Sequence, residues 1–513
     1  MRIHWNKVVS IAAVGILLGI AGARGQADVS LSSVISDNMV LQQQTSVRIF
    51  GKADPAEKVT VAIQGQTQAT AADASGKWVV MLKPLKAGGP FTLAVTGKNV
   101  IELKNVLVGE VWVCSGQSNM EFALKGAFEG DKAIASSANT NIRLFLVSKA
   151  RSDRPLDDVK AAWKECGPDT VGGTSAVAYY FARDLQKARN VPIGLIETYW
   201  GGTPAESWTR ADVLNSSSVL KPIVDDYPAA RTRFDKAIAD YPAAVEKAKA
   251  DGKRAPGRPS LWRYSELYNA MIAPLISYTV RGFLWYQGES NAGKADQYRT
   301  LMPALITNWR QDWGNGEMPF LLVQLAPFMA LSPEPQDTPW AHLREAQLYT
   351  TQILPKVGMA VITDVGTAGD IHPKHKEPVG QRLALLARNI AYAEKIVANG
   401  PVYKSMSVRG GKILLRFGSV GAGLKALAVE EEGLSLPGGK LTGFTIAGKD
   451  GKFVNAEAVI QGKETVLVSS SEVPEPVAVR YGWANYPVVN LWNSENLPAS
   501  PFRTDTPRTD TPK

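Results

Sequence analysis

The sequence predicts an α/β protein: a parallel sheet between two layers of helices, flanked in the chain by β-sandwich domains. Three observations carry that reading. Over residues 105–400, apolar runs of strand length alternate with helix-length segments such as AVAYYFARDLQKAR, YRTLMPALITNWRQDW and VGQRLALLARNIAYAEK. Such alternation builds a parallel sheet with helices on both faces. Over residues 28–104 the chain reads as short alternating runs, VRIFGK, VTVAIQ, KWVVMLK and FTLAVTG, separated by Gly, Pro, Asp and Asn, the pattern of a sandwich. The β pattern returns over residues 401–503 in KILLRFG, FTIAGK, TVLVSS and VAVRYGW.

The elements follow in chain order. Residues 1–27 carry Arg2 and Lys7, an almost wholly apolar run from Val8 to Ala23, and small residues at Ala21, Ala23, Gly25 and Ala27. This is the layout of a secretory signal peptide, with an uncleaved anchor as the alternative because the run is near the lower limit for a span. The expected location is therefore periplasmic or secreted, with no membrane span after cleavage. Within the α/β region, residues 224–257 form an insertion rich in Ala, Lys and Asp, with DYPAA at 226–230 and again at 240–244. Pro is tolerated in a first helical turn, so each copy is expected to open a helix of a solvated hairpin bordering the cleft. Residues 504–513 repeat a polar, Pro-containing unit and are expected to form a disordered tail.

Composition excludes several classes of function. The formal net charge is +9, of which signal cleavage would remove Arg2, Lys7 and Arg24. The excess is spread rather than gathered into a basic block, so a nucleic-acid partner is poorly supported. Cys114 and Cys166 are the only cysteines. Cys114 lies inside an apolar strand, where a buried free thiol is ordinary, so the two are expected unpaired, a disulfide being the alternative. Four histidines, His4, His342, His372 and His375, leave no room for a His-rich metal cage, and no cofactor is expected. Asp370, His372 and His375 are a metal-ligating alternative, which the proline between the histidines opposes.

Candidate chemistry sits at the strand ends. VLVGEVWVCSGQSNM, Val106–Met120, is an apolar run that breaks at Ser115-Gly116 and presents Ser118 on the turn before a helix, where open α/β sheets bind ligands. Ser118 is a candidate nucleophile, with a helix N-cap as the simpler alternative. His372 follows the apolar run VGMAVITDVG, with Asp370 two residues before it and Pro373 after it. A base needs a carboxylate or other acceptor to hold its tautomer. His342, in WAHLREAQLY, reads as a surface helix residue. Two further strands run into Gly201-Gly202-Thr203 and into Gln287-Gly288-Glu289-Ser290-Asn291. Paired glycines and a Gln amide are the parts of an oxyanion hole. Gln117, Asn119, Trp200, Glu289 and Asn291, in the same motifs, are the candidates for substrate contact.

GQSNM, WGGTPAESW, WYQGESN and DIHPKHK, in that order, together resemble the sialate O-acetylesterase family, a glycan-esterase branch of the SGNH hydrolases. SDNMVLQ, PSLWRYSELYNAMIAPL and NLWNSENLPASPFRT extend the resemblance over roughly residues 28 to 505. The resemblance implies an SGNH-type, flavodoxin-like three-layer α/β/α hydrolase domain. It also implies a carboxylic ester hydrolase that removes O-acetyl groups from an acetylated carbohydrate, a sialic acid or a plant polysaccharide such as xylan, through an acetyl-enzyme. By that likeness Ser118 is the nucleophile, His372 the base, and the Ser118 N–H, a glycine of the Gly201-Gly202 pair and Gln287 line the oxyanion hole. The wider pattern puts its acid three residues before the histidine, where this chain has Gly369, the acid standing at Asp370 instead. Asp370, another group or a backbone carbonyl therefore orients His372. Two other readings compete: a secreted glycan-binding protein without catalysis, and a metal-dependent hydrolase at Asp370, His372 and His375.

Overall fold

The computed structural model describes residues 28–431 and 434–505. The expected signal segment and residues 506–513 lie outside the described residues. The protein is built on a mixed sheet whose centre is one long strand, β1, Val100–Gly116. Its first residues alternate in burial, whereas Val106–Gly116 is buried throughout, as an unbroken apolar run requires when both faces are covered. The strands that follow are β2 (Asn139–Leu146), β3 (Trp163–Cys166), β4 (Ile193–Tyr199), β5 (Gly282–Tyr286), β6 (Phe320–Val323) and β7 (Val357–Ala360). Their order across the sheet is β3-β2-β4-β1-β5-β6-β7. All neighbours on this path are parallel except the edge pair, where β3 runs antiparallel to β2. An antiparallel neighbour can be reached without a crossover helix, which is what the connection from β2 to β3 does, a departure from the parallel sheet expected.

The main helices are α1 (Ala176–Arg189), α2 (Tyr227–Ala250), α3 (Ala295–Trp313), α4 (Pro339–Ile353) and α5 (Glu377–Ile390). Alternate residues of β1 point to opposite faces. Trp112 and Cys114 join a core with Val177 and Phe181 of α1 and Leu383 and Leu386 of α5. Val111 and Val113 join the other, with Leu305 and Trp309 of α3 and Leu343 of α4. Helices therefore cover both faces, and the chain is an α/β protein.

At one end, residues 28–104 contribute the three-stranded sheet of Ser30–Leu31, Val47–Lys52 and Lys77–Leu82. Gly88–Thr96 pairs with the first part of β1, and Val40–Gln42 runs parallel to its middle. One strand thus carries both the N-terminal sheet and the central sheet, across the boundary expected between residues 104 and 105. At the other end are two four-stranded sheets, from Val402–Arg409 onward. Ile413, Leu415 and Val468 of one share a core with Phe444, Ile446 and Val479 of the other.

Two expectations are corrected. The insertion is not a hairpin: α2 is a single helix of 24 residues with no buried residue. Pro228 opens it, whereas Pro242 lies inside it, so the second DYPAA copy is read through without starting a new helix. The tail is not free at its start, because the Thr504 N–H donates to the Val479 carbonyl and Asp505 pairs with Arg480 at 2.6 Å. Cys114 and Cys166 are both free and buried, and burial raises both thiols' pKa. Among the described residues no helix is long and apolar enough to cross a membrane.

Glu197 on β4 is fully buried between these thiols and α1. One carboxylate oxygen accepts from the Ser175 N–H and the Tyr199 hydroxyl, each at 2.8 Å, and the other has no partner. Burial pushes it from the usual 4.5 up to about 7. A carboxyl raised on folding holds a proton that the unfolded chain has released, so this group costs stability progressively as pH rises from about 4.5 through about 7. Glu197→Gln is expected to flatten that part of the Tm-against-pH curve, raising Tm at pH 8 more than at pH 5. Equal shifts at both pH values would contradict this.

Candidate active site

Ser118, the candidate nucleophile, is placed by a turn only glycine can make. Gly116 ends β1 at φ +136°, and a Cβ there would lie 2.2 Å from the Tyr286 carbonyl oxygen of β5, so both backbone conformation and space demand Gly. The Gln117 N–H then donates to that same carbonyl at 3.0 Å, and Ser118 opens the one-turn helix Ser118–Glu121. The turn lies beyond the carboxyl end of β1. The chain passes to opposite sides of β1 through β4 and β5, which is the switch point at which open α/β sheets place ligands.

The loop after β7 brings His372 to this turn. Its Nε2 lies 2.8 Å from Ser118 Oγ, within hydrogen-bond reach for a base. Asp370 stands differently from the expected triad acid. Its Oδ1 accepts the His372 backbone N–H at 2.9 Å but lies 3.6 Å from Nδ1, beyond a hydrogen bond. About half its side chain is exposed. His375, the third member of the metal alternative, stacks on Phe128 at 4.3 Å between ring centroids. Among the described residues no three of His, Cys, Asp and Glu are grouped to hold a metal ion.

The glycine pair lies beside the serine. A Cβ on Gly201 would come 3.2 Å from Ser118 Cβ, and Gly202 adopts φ +75°. The Gly201 N–H donates to Glu121 Oε2 at 2.6 Å, and Glu121 in turn pairs with Lys149. Gln287 departs from its expected role. It is fully buried, and its amide nitrogen already donates to Asn291 Oδ1 at 2.6 Å and the Thr203 carbonyl at 3.3 Å. Its oxygen accepts from the Tyr298 hydroxyl at 3.1 Å. Both amide protons are thus engaged, and Gln287 ties the glycine loop to its own turn instead of offering a free donor.

Four of the five expected substrate contacts are likewise drawn inward. Gln117 is buried and accepts the Gly288 and Ser290 N–H groups. Asn291 is buried, bonding Gln287, the Ala205 N–H and Glu206. Asn119 is fully buried, donating to Glu289 Oε1 at 2.6 Å and to the Ile371 carbonyl at 3.0 Å. The Glu289 carboxylate is occupied by that bond on one side and enclosed on the other. Their polar atoms serve the loops' own hydrogen bonding, the usual fate of buried polar groups. Only Trp200 stays half-exposed, edge-on to Trp262 at 5.2 Å.

Sequence reading missed three sets of residues. Glu121, held by Lys149, accepts the Gly201 N–H. Arg151 lies over Trp262 at 4.0 Å, with Trp200 at 5.7 Å, making a cationic and aromatic rim. Lys376 is buried and donates to Asn119 Oδ1 at 2.5 Å. It belongs to DIHPKHK itself, yet a lysine in a charge-rich stretch carries no sign that it turns inward.

A hydroxyl bonded to an imidazole at the mouth of an α/β sheet has the parts needed for acyl transfer, and the protein is a carboxylic ester hydrolase. Residues 108–251 and 253–388 match the family described as carbohydrate esterase, sialic acid-specific acetylesterase. The chain belongs to that family. It is 30% identical to the sialate O-acetylesterase of Mus musculus over 92% of this chain and 93% of the relative. With the human sialate O-acetylesterase it shares 32% identity over 75% of each. A carbohydrate acetylesterase from Xanthomonas citri superposes with a TM-score of 0.79 at 38% identity, over 93% of this chain and 100% of that one.

Proposed function

We propose that this chain is a secreted or periplasmic serine esterase that removes O-acetyl groups from glycans. The observation that carries the reading is the 2.8 Å approach of His372 Nε2 to Ser118 Oγ at the sheet's switch point. Ser118 attacks the acetyl carbonyl while His372 takes its proton, and the sugar hydroxyl leaves with that proton. Water, deprotonated by the same base, then hydrolyses the acetyl-enzyme. The N–H groups of Ser118 and of the Gly201-Gly202 pair receive the developing oxyanion. At Gly201 the acetyl oxygen takes the place of the Glu121 carboxylate. No step calls for a metal or organic cofactor. The half-exposed Trp200 offers a ring for a sugar. In this reading residues 105–400 form an SGNH-type, flavodoxin-like domain, with β-sandwich domains over 28–104 and 401–503.

Asp370 has a defined, small share in this mechanism. Because its carboxylate stands beyond hydrogen-bond length from Nδ1, Asp370→Asn is expected to lower kcat by less than about tenfold, against the roughly 10,000-fold of a triad acid that fixes the tautomer. A loss in the thousands would make Asp370 a full triad member. The substrate is an acetylated sialic acid or a plant polysaccharide such as xylan, and acetate release from a panel of defined acetylated glycans separates them. No release from any member with Ser118 intact would favour a glycan-binding protein without catalysis.

A further inference from the structure

Three turns meet behind the catalytic pair: the nucleophile turn, the turn after β5 and the loop carrying His372. One side chain touches all three. Asn119, next to Ser118, is fully buried, and its amide bonds both to the loop carrying His372 and to the turn after β5. Its oxygen accepts from Lys376 Nζ at 2.5 Å, four residues beyond the base. Its nitrogen donates to Glu289 Oε1 at 2.6 Å, two residues after Gln287, and to the carbonyl of Ile371, the residue before the base, at 3.0 Å.

The charges make this arrangement demanding. Lys376 is wholly enclosed, its ammonium 5.0 Å from the Phe122 ring centre and 5.3 Å from that of Tyr286. The second oxygen of Glu289 is buried without a partner. Burial pushes Lys376 down to about 7, opposed by Glu289 and Asp370, and burial also raises Glu289, opposed by Asn119, Lys376 and His372. An ammonium and a carboxylate enclosed together and bridged by one amide are costly to desolvate, and apolar side chains of the same volume would often be more stable. Stability therefore does not explain why the chain holds them here.

We infer that Lys376, Asn119 and Glu289 form a buried positioning unit that fixes Ser118 relative to His372. This rests on the Ser118–His372 reading and goes beyond it. Lys376 and Glu289 clamp the two ends of the Asn119 amide. The amide then sets the height of the Ile371 carbonyl, and so of the imidazole, against the nucleophile one residue away. None of the three touches the substrate. Their effect falls on the geometry of the reacting pair, where a misplacement of about 1 Å costs on the order of a hundredfold in rate.

The test compares Lys376→Met, Glu289→Gln and the double variant. Each single change leaves one buried charge uncompensated, so Tm and kcat both fall. The double change removes both charges, and Tm is expected to return close to wild type. If the unit positions the pair, kcat of the double variant stays at least about tenfold low with KM within about twofold, the pattern of an interaction lost in the transition state. Its rate of labelling at Ser118 by an organophosphorus reagent falls in parallel. Recovery of kcat together with Tm would overturn the inference and leave the trio a structural salt bridge. Failure of wild type to label at Ser118 would be a different result, removing the serine–histidine reading itself.

Discussion

Ser118→Ala and His372→Ala are each expected to remove nearly all esterase activity, and the double variant to lose little more. On the proposed mechanism the serine is activated only through its base, so removing either member leaves the other without a role, and the losses do not add. Loss of a triad member typically costs several orders of magnitude in kcat, with a residue of catalysis left from the oxyanion donors and binding. Folding is expected to survive, because Ser118 is half-buried at a turn and the His372 side chain is 37% exposed. Kinetics on purified variants, with Tm measured alongside, check this. Ser118→Ala retaining more than about a tenth of wild-type kcat would contradict the assignment.

Gln287→Ala is expected to lower both Tm and kcat. Truncation leaves the Thr203 carbonyl and the Tyr298 hydroxyl without the partner they have at 3.3 and 3.1 Å, and takes from Asn291 its 2.6 Å bond. A buried polar group left unpaired costs about 1–3 kcal/mol, so the combined loss is a large part of a domain's stability. The rate falls as well, because Gln287 holds the glycine loop that lies beside Ser118. Gln287→Glu is expected to be worse than Ala, since it sets a carboxylate against two acceptor oxygens, Asn291 Oδ1 and the Thr203 carbonyl. A free oxyanion donor behaves otherwise: its removal costs roughly 100- to 1,000-fold in kcat with Tm unchanged. Measuring Tm together with kcat per labelled Ser118 separates the two.

The chain's architecture was legible wherever burial imposes a period. Val106–Cys114 reads as a strand buried on both faces because nothing polar but Glu110 interrupts it, and the α1 and α5 segments show their apolar faces directly. The insertion misled because Pro242 looks like a helix start, and local sequence does not reveal that the helix continues through it. The same contrast holds at the site. Ser118 and His372 could be picked out because each stands at the end of an apolar run and the chain has few histidines. The inward turn of Gln117, Asn119, Glu289 and Asn291 was not legible, since whether a motif's polar residue faces a ligand or a neighbouring loop depends on contacts between segments distant in the chain. Asn119 and Ile371 are separated by 252 positions. Asp370 shows the limit from the other side: adjacency in sequence suggested a triad acid, and the loop turns its carboxylate onto the backbone N–H instead.

The central claim, that an acetyl group passes from a glycan to Ser118 and then to water, is tested most directly by trapping. Wild-type enzyme is mixed with an acetylated oligosaccharide carrying a labelled acetyl group, quenched in acid within the first turnovers and digested for peptide mass mapping. The account predicts label on the peptide containing Ser118, assigned to that residue and lost as free acetate accumulates. Steady release of acetate with no label on Ser118, and the same release from Ser118→Ala, would contradict it.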